Sequence, residues 1–87
     1  MGAVISNYGN TSVISGRIAD IDGIGIPGVC IETTGSNNGT VTDIDGGFTL
    51  RVPFNAKIVV SCIGYKTEVI DTSKKGVLLV TLEEDSF

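Results

Sequence analysis

The chain has 87 residues, a formal net charge of −4 and no histidine. A protein of this length buries only about 60–65% of its unfolded surface, so a deep active-site cavity would be costly. The acidic balance disfavours binding to nucleic acid, and the absence of histidine excludes histidine-dependent triads and histidine metal ligands. No apolar run approaches the ~18 residues of a membrane span.

The composition favours β-structure. The chain contains 11 Ile, 10 Val and 9 Thr, against only 4 Leu and 3 Ala. β-Branched side chains lose rotamer freedom in helices and pack well on a pleated sheet. The 12 glycines are spread along the chain, where they supply turns. The sequence therefore predicts an all-β protein.

Seven short segments have the alternation or apolar character of strands, and turn residues separate them. In chain order the predicted strands cover residues 13–19, 29–34, 40–42, 48–52, 57–63, 65–70 and 77–82. Their spacing of about 8–12 residues predicts a seven-stranded antiparallel β-sandwich over residues 13–84. We expect residues 1–12 to form a flexible leader and residues 85–87 to begin a linker or tail.

Side-chain directions follow from the alternation within each strand. The fifth strand is almost continuously apolar, so we expect it to be central and buried on both faces. In the sixth strand, Lys66 and Glu68 are predicted to face solvent. The residues predicted to point inward in the fourth and seventh strands are Phe48, Leu50, Val52, Leu78, Val80 and Leu82.

The two cysteines are too far apart in sequence for a Cys-x-x-Cys motif. Cys30 is predicted on the outer face of its strand, beside Glu32, whereas Cys62 shares a face with Ile58 and Val60. If that shared face is the core, the two sulfurs point away from each other and cannot meet. We therefore expect one partly exposed thiol and one buried thiol rather than a disulfide.

The tetrapeptide Asp-Ile-Asp-Gly occurs twice, at residues 20–23 and 43–46. An EF-hand loop needs further oxygen ligands and a Glu at its twelfth position, where this chain has Ile31 and Phe54. Asp at the start of a type I turn, with Gly as the left-handed residue that closes a hairpin, explains the motif structurally. The pattern favours structural turns, with a weak cation site as the alternative.

No other motif predicts a catalytic, cofactor-binding or metal-binding residue. Residues 23–28 match G-x-G-x-x-G, but a strand follows them instead of the helix that binds a pyrophosphate. Residues 35–40 resemble a phosphate loop that lacks its lysine. The acidic pairs lie in turns of a domain that has no Trp and few other aromatic residues, so a glycosidase site is not expected. The sequence predicts a protein that is not an enzyme and has no cofactor.

Short motifs follow one another in a specific order along nearly the whole chain. They are Gly-Arg-Ile-Ala-Asp at 16–20, Asp-Gly at 22–23, Ile-Pro-Gly-Val at 26–29, Thr-Gly at 34–35, Gly-Thr at 39–40, Thr-Asp at 42–43, Asp-Gly at 45–46, Phe-Thr-Leu at 48–50, Ile-Val-Val-Ser at 58–61, Ile-Gly-Tyr-Lys at 63–66 and Val-Thr-Leu-Glu-Glu at 80–84. In this order they resemble the carboxypeptidase-regulatory-like domain. The last two motifs are most similar to the N-terminal extension of SusC-like TonB-dependent outer-membrane receptors. Cys30 and Cys62 depart from the pattern, which has Ser or Thr and an aromatic residue there.

The resemblance implies a transthyretin-like or immunoglobulin-like sandwich in a non-catalytic accessory domain of a glycan or other nutrient receptor. That domain would lie on the periplasmic side of the bacterial outer membrane, before a TonB box, plug and barrel. It would dock other domains of the receptor and periplasmic proteins by protein–protein contact, for example by strand addition at an exposed sheet edge. It would bind no nucleic acid and insert into no membrane. The alternative is a carbohydrate- or calcium-binding module of a surface enzyme or adhesin.

Overall fold

A computed structural model describes residues 11–73 and 77–85 of the chain. Seven β-strands occur in the described residues, and they agree with the seven predicted from the sequence. The strands are β1 (Thr11–Ala19), β2 (Cys30–Thr33), β3 (Gly39–Val41), β4 (Gly47–Pro53), β5 (Lys57–Ser61), β6 (Glu68–Asp71) and β7 (Val77–Thr81). No helix long and apolar enough to cross a membrane is present in this part of the chain.

The strands form two sheets that pack as a sandwich, which confirms the predicted fold class. One sheet has the order β4-β1-β7 and the other has the order β3-β2-β5-β6. Four of the five strand pairs are antiparallel, but β1 and β7 are parallel, with Ser15 opposite Val77 and Ala19 opposite Thr81. A parallel pair needs a long crossover, and the whole second sheet lies between these two strands in sequence.

The core lies between the sheets and is built mainly from Ile and Val. The fully or almost fully buried apolar side chains are Ile14, Ile18, Ile26, Val29, Ile31, Phe48, Leu50, Val52, Ile58, Val60 and Leu82. Leu78 and Val80 are half-buried against this cluster. The inward directions predicted for the fourth and seventh strands are therefore confirmed. Burial of each such side chain contributes about 1.5–3 kcal/mol.

The prediction that the fifth strand is buried on both faces is wrong. β5 is central, since β2 and β6 flank it. Ile58 and Val60 are buried, but Val59 and Ser61 are partly exposed on the other face. The opposing sheet covers only one face, and no further layer covers the other face among the described residues.

The sixth strand begins at Glu68 and covers only the second half of the predicted segment. Lys66 is exposed, as predicted, but Glu68 is half-buried. Glu68 and Ile70 are two residues apart, so they share a face of the strand. Because Ile70 packs against the core, Glu68 is drawn to the same side, and Val69 is exposed instead.

The described residues include the first strand of the sandwich and the segment that follows its last strand. β1 begins at Thr11, two residues before the predicted start, while the rest of the predicted leader lies outside the described residues. At the other end, the amide of Asp85 donates to the carbonyl of Gly64 at 2.9 Å. Asp85 is therefore attached to the fold, and residues 86–87 of the predicted tail lie outside the described residues.

Candidate docking surfaces

The two Asp-Ile-Asp-Gly segments have the same hydrogen bonds. Oδ1 of Asp20 accepts from the amides of Asp22 and Ile24 at 2.9 and 3.0 Å, and Oδ1 of Asp43 accepts from those of Asp45 and Gly47, both at 2.9 Å. The closing glycines of both turns have positive φ angles, 84° and 83°. The first Asp of each copy thus caps its own turn, as predicted.

Arg17 joins the two turns. Its Nε donates to the carbonyl of Asp45 at 3.1 Å, and its Nη2 donates to the carbonyl of Gly23 at 3.2 Å. Gly25 packs against the carbonyl of Asp45, where a side chain would not fit. The repeated motif therefore forms two neighbouring turns at one end of the sandwich. No local pattern predicts this role of Arg17, because its contact with Asp45 spans 28 residues.

Turn geometry explains the first Asp and the Gly of each motif but not the Ile or the second Asp. Ile21 is 74% exposed and Ile44 is 82% exposed. Asp22 and Asp45 are exposed as well. No group of three or more Cys, Asp or Glu side chains that could hold a metal ion occurs in residues 11–73 and 77–85.

The segment that matches G-x-G-x-x-G leads into β2, as expected, and a buried threonine fixes it. Thr42 Oγ1 accepts from the amide of Val29 at 2.9 Å and donates to the carbonyl of Ile26 at 2.6 Å. Its side chain is buried. This segment is thus part of the sandwich. Sequence reasoning placed Thr42 at the end of a strand and missed its role.

Both cysteines carry free thiols and line one shallow groove beside Gly28, Ser61 and Ile63. Cys30 is exposed on the outer face, as predicted. Cys62 is half-buried against the core, so it is less buried than predicted. It lies just beyond the end of β5, where the regular pleat has ended.

A pocket lies at the end of β1 and β7, where the chain leaves both strands. Its apolar lining comes from Ile21, Tyr65 and Leu82, and its acidic lining includes Asp22 and Glu84. Tyr65 and Glu84 form an isolated antiparallel bridge across it. Lys66 Nζ lies 3.6 Å from Glu83 Oε1, and both side chains are more than half exposed, so this ion pair contributes little stability.

The two sheets have four edge strands, and β7 is the one that is least protected against pairing with an added strand. β3 has only three residues and lies against β4. β4 carries Arg51 and ends at Pro53. β6 has an acidic residue at each end. β7 has five uncharged residues, and Val77 and Leu79 on its outer face are 66% and 80% exposed. Proteins usually protect such an edge with charges, Pro or a covering segment.

A family model matches residues 14–86, and the family is described as the CarboxypepD_reg-like domain. The chain belongs to this family. This CarboxypepD_reg-like domain is 38% identical over 82 residues to TonB-dependent receptor P39 of Formosa agariphila. It is 29% identical over 82 residues to TonB-dependent receptor SusC of Bacteroides thetaiotaomicron. These alignments cover 93% and 94% of the domain and 8% of each receptor.

Two solved structures share the fold of this CarboxypepD_reg-like domain. A 3-chlorocatechol 1,2-dioxygenase from Rhodococcus opacus matches with a TM-score of 0.69 and 12% identity, over 87% of this chain and 61% of that one. A type II cohesin–X-dockerin complex from Acetivibrio cellulolyticus matches with a TM-score of 0.62 and 18% identity, over 80% and 51% of the chains. At these identities the likeness is one of fold alone.

Proposed function

We propose that this domain is a non-catalytic accessory domain of a TonB-dependent outer-membrane receptor that imports glycans or similar nutrients. The observation that carries the proposal is the match of nearly the whole chain to short parts of two TonB-dependent receptors. We place the domain on the periplasmic side of the membrane. Its role there is protein–protein docking, and its partners are other domains of the receptor and periplasmic proteins.

The edge of β7 is the docking surface that the fold offers for strand addition. On one side β7 pairs with β1, and on its other side no strand lies beside it in the described part of the chain. Its inward side chains, Leu78 and Val80, are only half-buried, so an added strand would cover them further. The occupant we propose is an extended segment of the same receptor polypeptide, since this chain spans only 8% of the receptors it matches.

Protease accessibility tests the placement. The turn at Ser36 and Asn37 is exposed and connects β2 to β3, so it can accept a short inserted protease site. In the full receptor, we expect the site to resist an external protease in intact cells and to be cleaved after the outer membrane is permeabilised. Cleavage in intact cells would contradict a periplasmic position.

A substitution in the full receptor tests the docking edge. Lys at an edge position hinders strand addition, so Leu79→Lys should reduce glycan uptake while leaving the amount of receptor in the outer membrane unchanged. Val41→Lys is the matched control, because Val41 is also exposed but lies on β3. Equal uptake by both variants and the parent would contradict docking through β7.

A further inference from the structure

We infer that the end of the sandwich that carries the two acidic turns is a second docking surface, and that it binds a polypeptide segment with apolar and basic side chains. We call this the isoleucine end and define it by Ile21, Ile24, Ile44 and Ile63 with the acidic residues around them. The inference goes beyond the proposed docking at β7, since it concerns a different surface and a different mode of recognition.

The exposure of the isoleucines is the first observation. Ile21, Ile24, Ile44 and Ile63 are 74%, 64%, 82% and 100% exposed. An isolated exposed apolar side chain is ordinary, but a group of them on one surface marks a site of interaction. The turns need their first Asp and their Gly for their geometry, and polar residues would serve equally well at the Ile positions.

The scaffold brings these side chains to the same end of the molecule. Arg17 and Gly25 hold the first turn against the second, which places Ile21 and Ile24 beside the turn that carries Ile44. Ile63 lies in the tight turn that is closed by the hydrogen bond from the amide of Tyr65 to the carbonyl of Cys62, and Tyr65 lines one pocket together with Ile21. The backbone of this surface is thus fixed before any partner binds, which lowers the entropy cost of binding.

Charge identifies the partner. The isoleucine end includes the exposed carboxylates of Asp22, Asp45 and Glu84. Among the described basic side chains near this surface, Arg17 donates to the turn carbonyls and Lys66 forms an exposed ion pair with Glu83. A segment that alternates apolar residues with Lys or Arg would complement both the isoleucines and the carboxylates.

The same charges argue against a second copy of the chain as the partner. Each copy has a net charge of −4, so pairing two such ends would bring like-charged acidic groups together. They also disfavour an anionic membrane surface, which repels carboxylates. A basic segment of another polypeptide is the occupant that the surface favours.

Peptide binding to the 87-residue chain tests the inference. The probe is a short fluorescent peptide in which Leu and Arg alternate, measured by fluorescence anisotropy. The comparison peptides replace Arg by Glu, or Leu by Ser. We expect binding of the Leu–Arg peptide that weakens as salt is raised, and at least about tenfold weaker binding of either comparison peptide.

Paired variants locate the binding site. Ile21→Ser with Ile44→Ser removes exposed apolar area, and Asp22→Asn with Asp45→Asn removes charge without touching the Asp residues that cap the turns. Each pair should weaken binding at least about tenfold. Val13→Ser with Phe54→Ser is the matched control, since both residues are more than half exposed and line a hollow at the opposite end of the sandwich, and it should bind as the parent does. Unchanged nuclear magnetic resonance spectra away from the substitutions would verify the fold.

Three results would overturn the inference. The first is equal binding of the Glu-containing peptide, and the second is equal loss of binding in the control pair. The third is concentration-dependent self-association in sedimentation that disappears in Ile21→Ser with Ile44→Ser, which would assign the surface to a second copy. None of these results depends on glycan uptake, so this inference can fail while docking through β7 stands.

Discussion

Gly25 packs directly against the backbone carbonyl of Asp45, so the two acidic turns meet with no side chain between them. This contact and the hydrogen bonds of Arg17 hold the two copies of the tetrapeptide together as one structural unit. The first Asp of each turn stabilises the backbone, and the exposed Ile and second Asp remain available to a partner. The same eight residues therefore serve both the fold and the surface that we propose for docking.

The first prediction concerns this contact. Gly25→Ala would place a methyl group on the Asp45 carbonyl, and we expect it to lower the free energy of unfolding by about 1–3 kcal/mol. Gly23→Asn is the control, because Gly23 has a positive φ angle but open space around it, and Asn tolerates that conformation. Urea unfolding followed by circular dichroism measures both variants. Equal stability of Gly25→Ala and the parent would show that the turns do not meet as described.

The second prediction separates the two Asp residues within one motif. Asp43→Ala removes an oxygen that accepts two backbone hydrogen bonds, so we expect a loss of about 1–2 kcal/mol in the free energy of unfolding. Asp45→Ala changes an exposed side chain and should alter stability by less than about 0.5 kcal/mol. Urea unfolding again provides the measurement. Losses of the same size in the two variants would contradict the capping role.

Calorimetric titration with Ca²⁺ tests the alternative role of these turns, as a cation site. The oxygens that cap the turns are already accepting hydrogen bonds, so we expect no heat of binding. Heat in the parent that disappears in Asp43→Asn with Asp45→Asn would instead support calcium binding.

The fourth prediction concerns a buried hydroxyl. Thr42→Val keeps the shape of the side chain but leaves the amide of Val29 and the carbonyl of Ile26 without their partner. We expect a loss of about 2 kcal/mol or more, because each unpaired buried group costs about 1–3 kcal/mol. Thr42→Ser should recover most of the stability, and Thr49→Val on the exposed face of β4 should have little effect. A destabilised Thr42→Ser with a stable Thr42→Val would indicate that the methyl group matters and the hydroxyl does not.

Local patterns in the sequence predicted the strands and most side-chain directions, because alternation and turn chemistry act over a few residues. The alternation of Phe48, Leu50 and Val52 is an example, and all three are buried. The parallel pairing of β1 with β7 was beyond such reasoning, since it depends on how two distant segments meet. The exposed face of β5 was missed for a related reason, because composition alone does not reveal how many layers a fold has.

The surfaces proposed for docking were predicted less well than the fold. The Asp-Ile-Asp-Gly repeat is visible in the sequence. That its two copies form one surface depends on Arg17, which contacts a residue 28 positions away. The exposed edge of β7 was likewise hidden, because Val77 and Leu79 look like any strand residues until the order of the sheet is known.

The last prediction concerns the thiols. Cys30 is exposed and Cys62 is half-buried against the core, so a thiol reagent should modify Cys30 first and Cys62 in a slower phase. Cys30→Ser should remove the fast phase and leave the slow one, whereas Cys62→Ser should do the reverse. Absorbance after addition of a chromogenic disulfide reagent measures both phases. Two thiols that react at the same rate would contradict the difference in exposure. If the chain purified in air had no reactive thiol, the two cysteines would form a disulfide, in contrast to the free thiols of this structure.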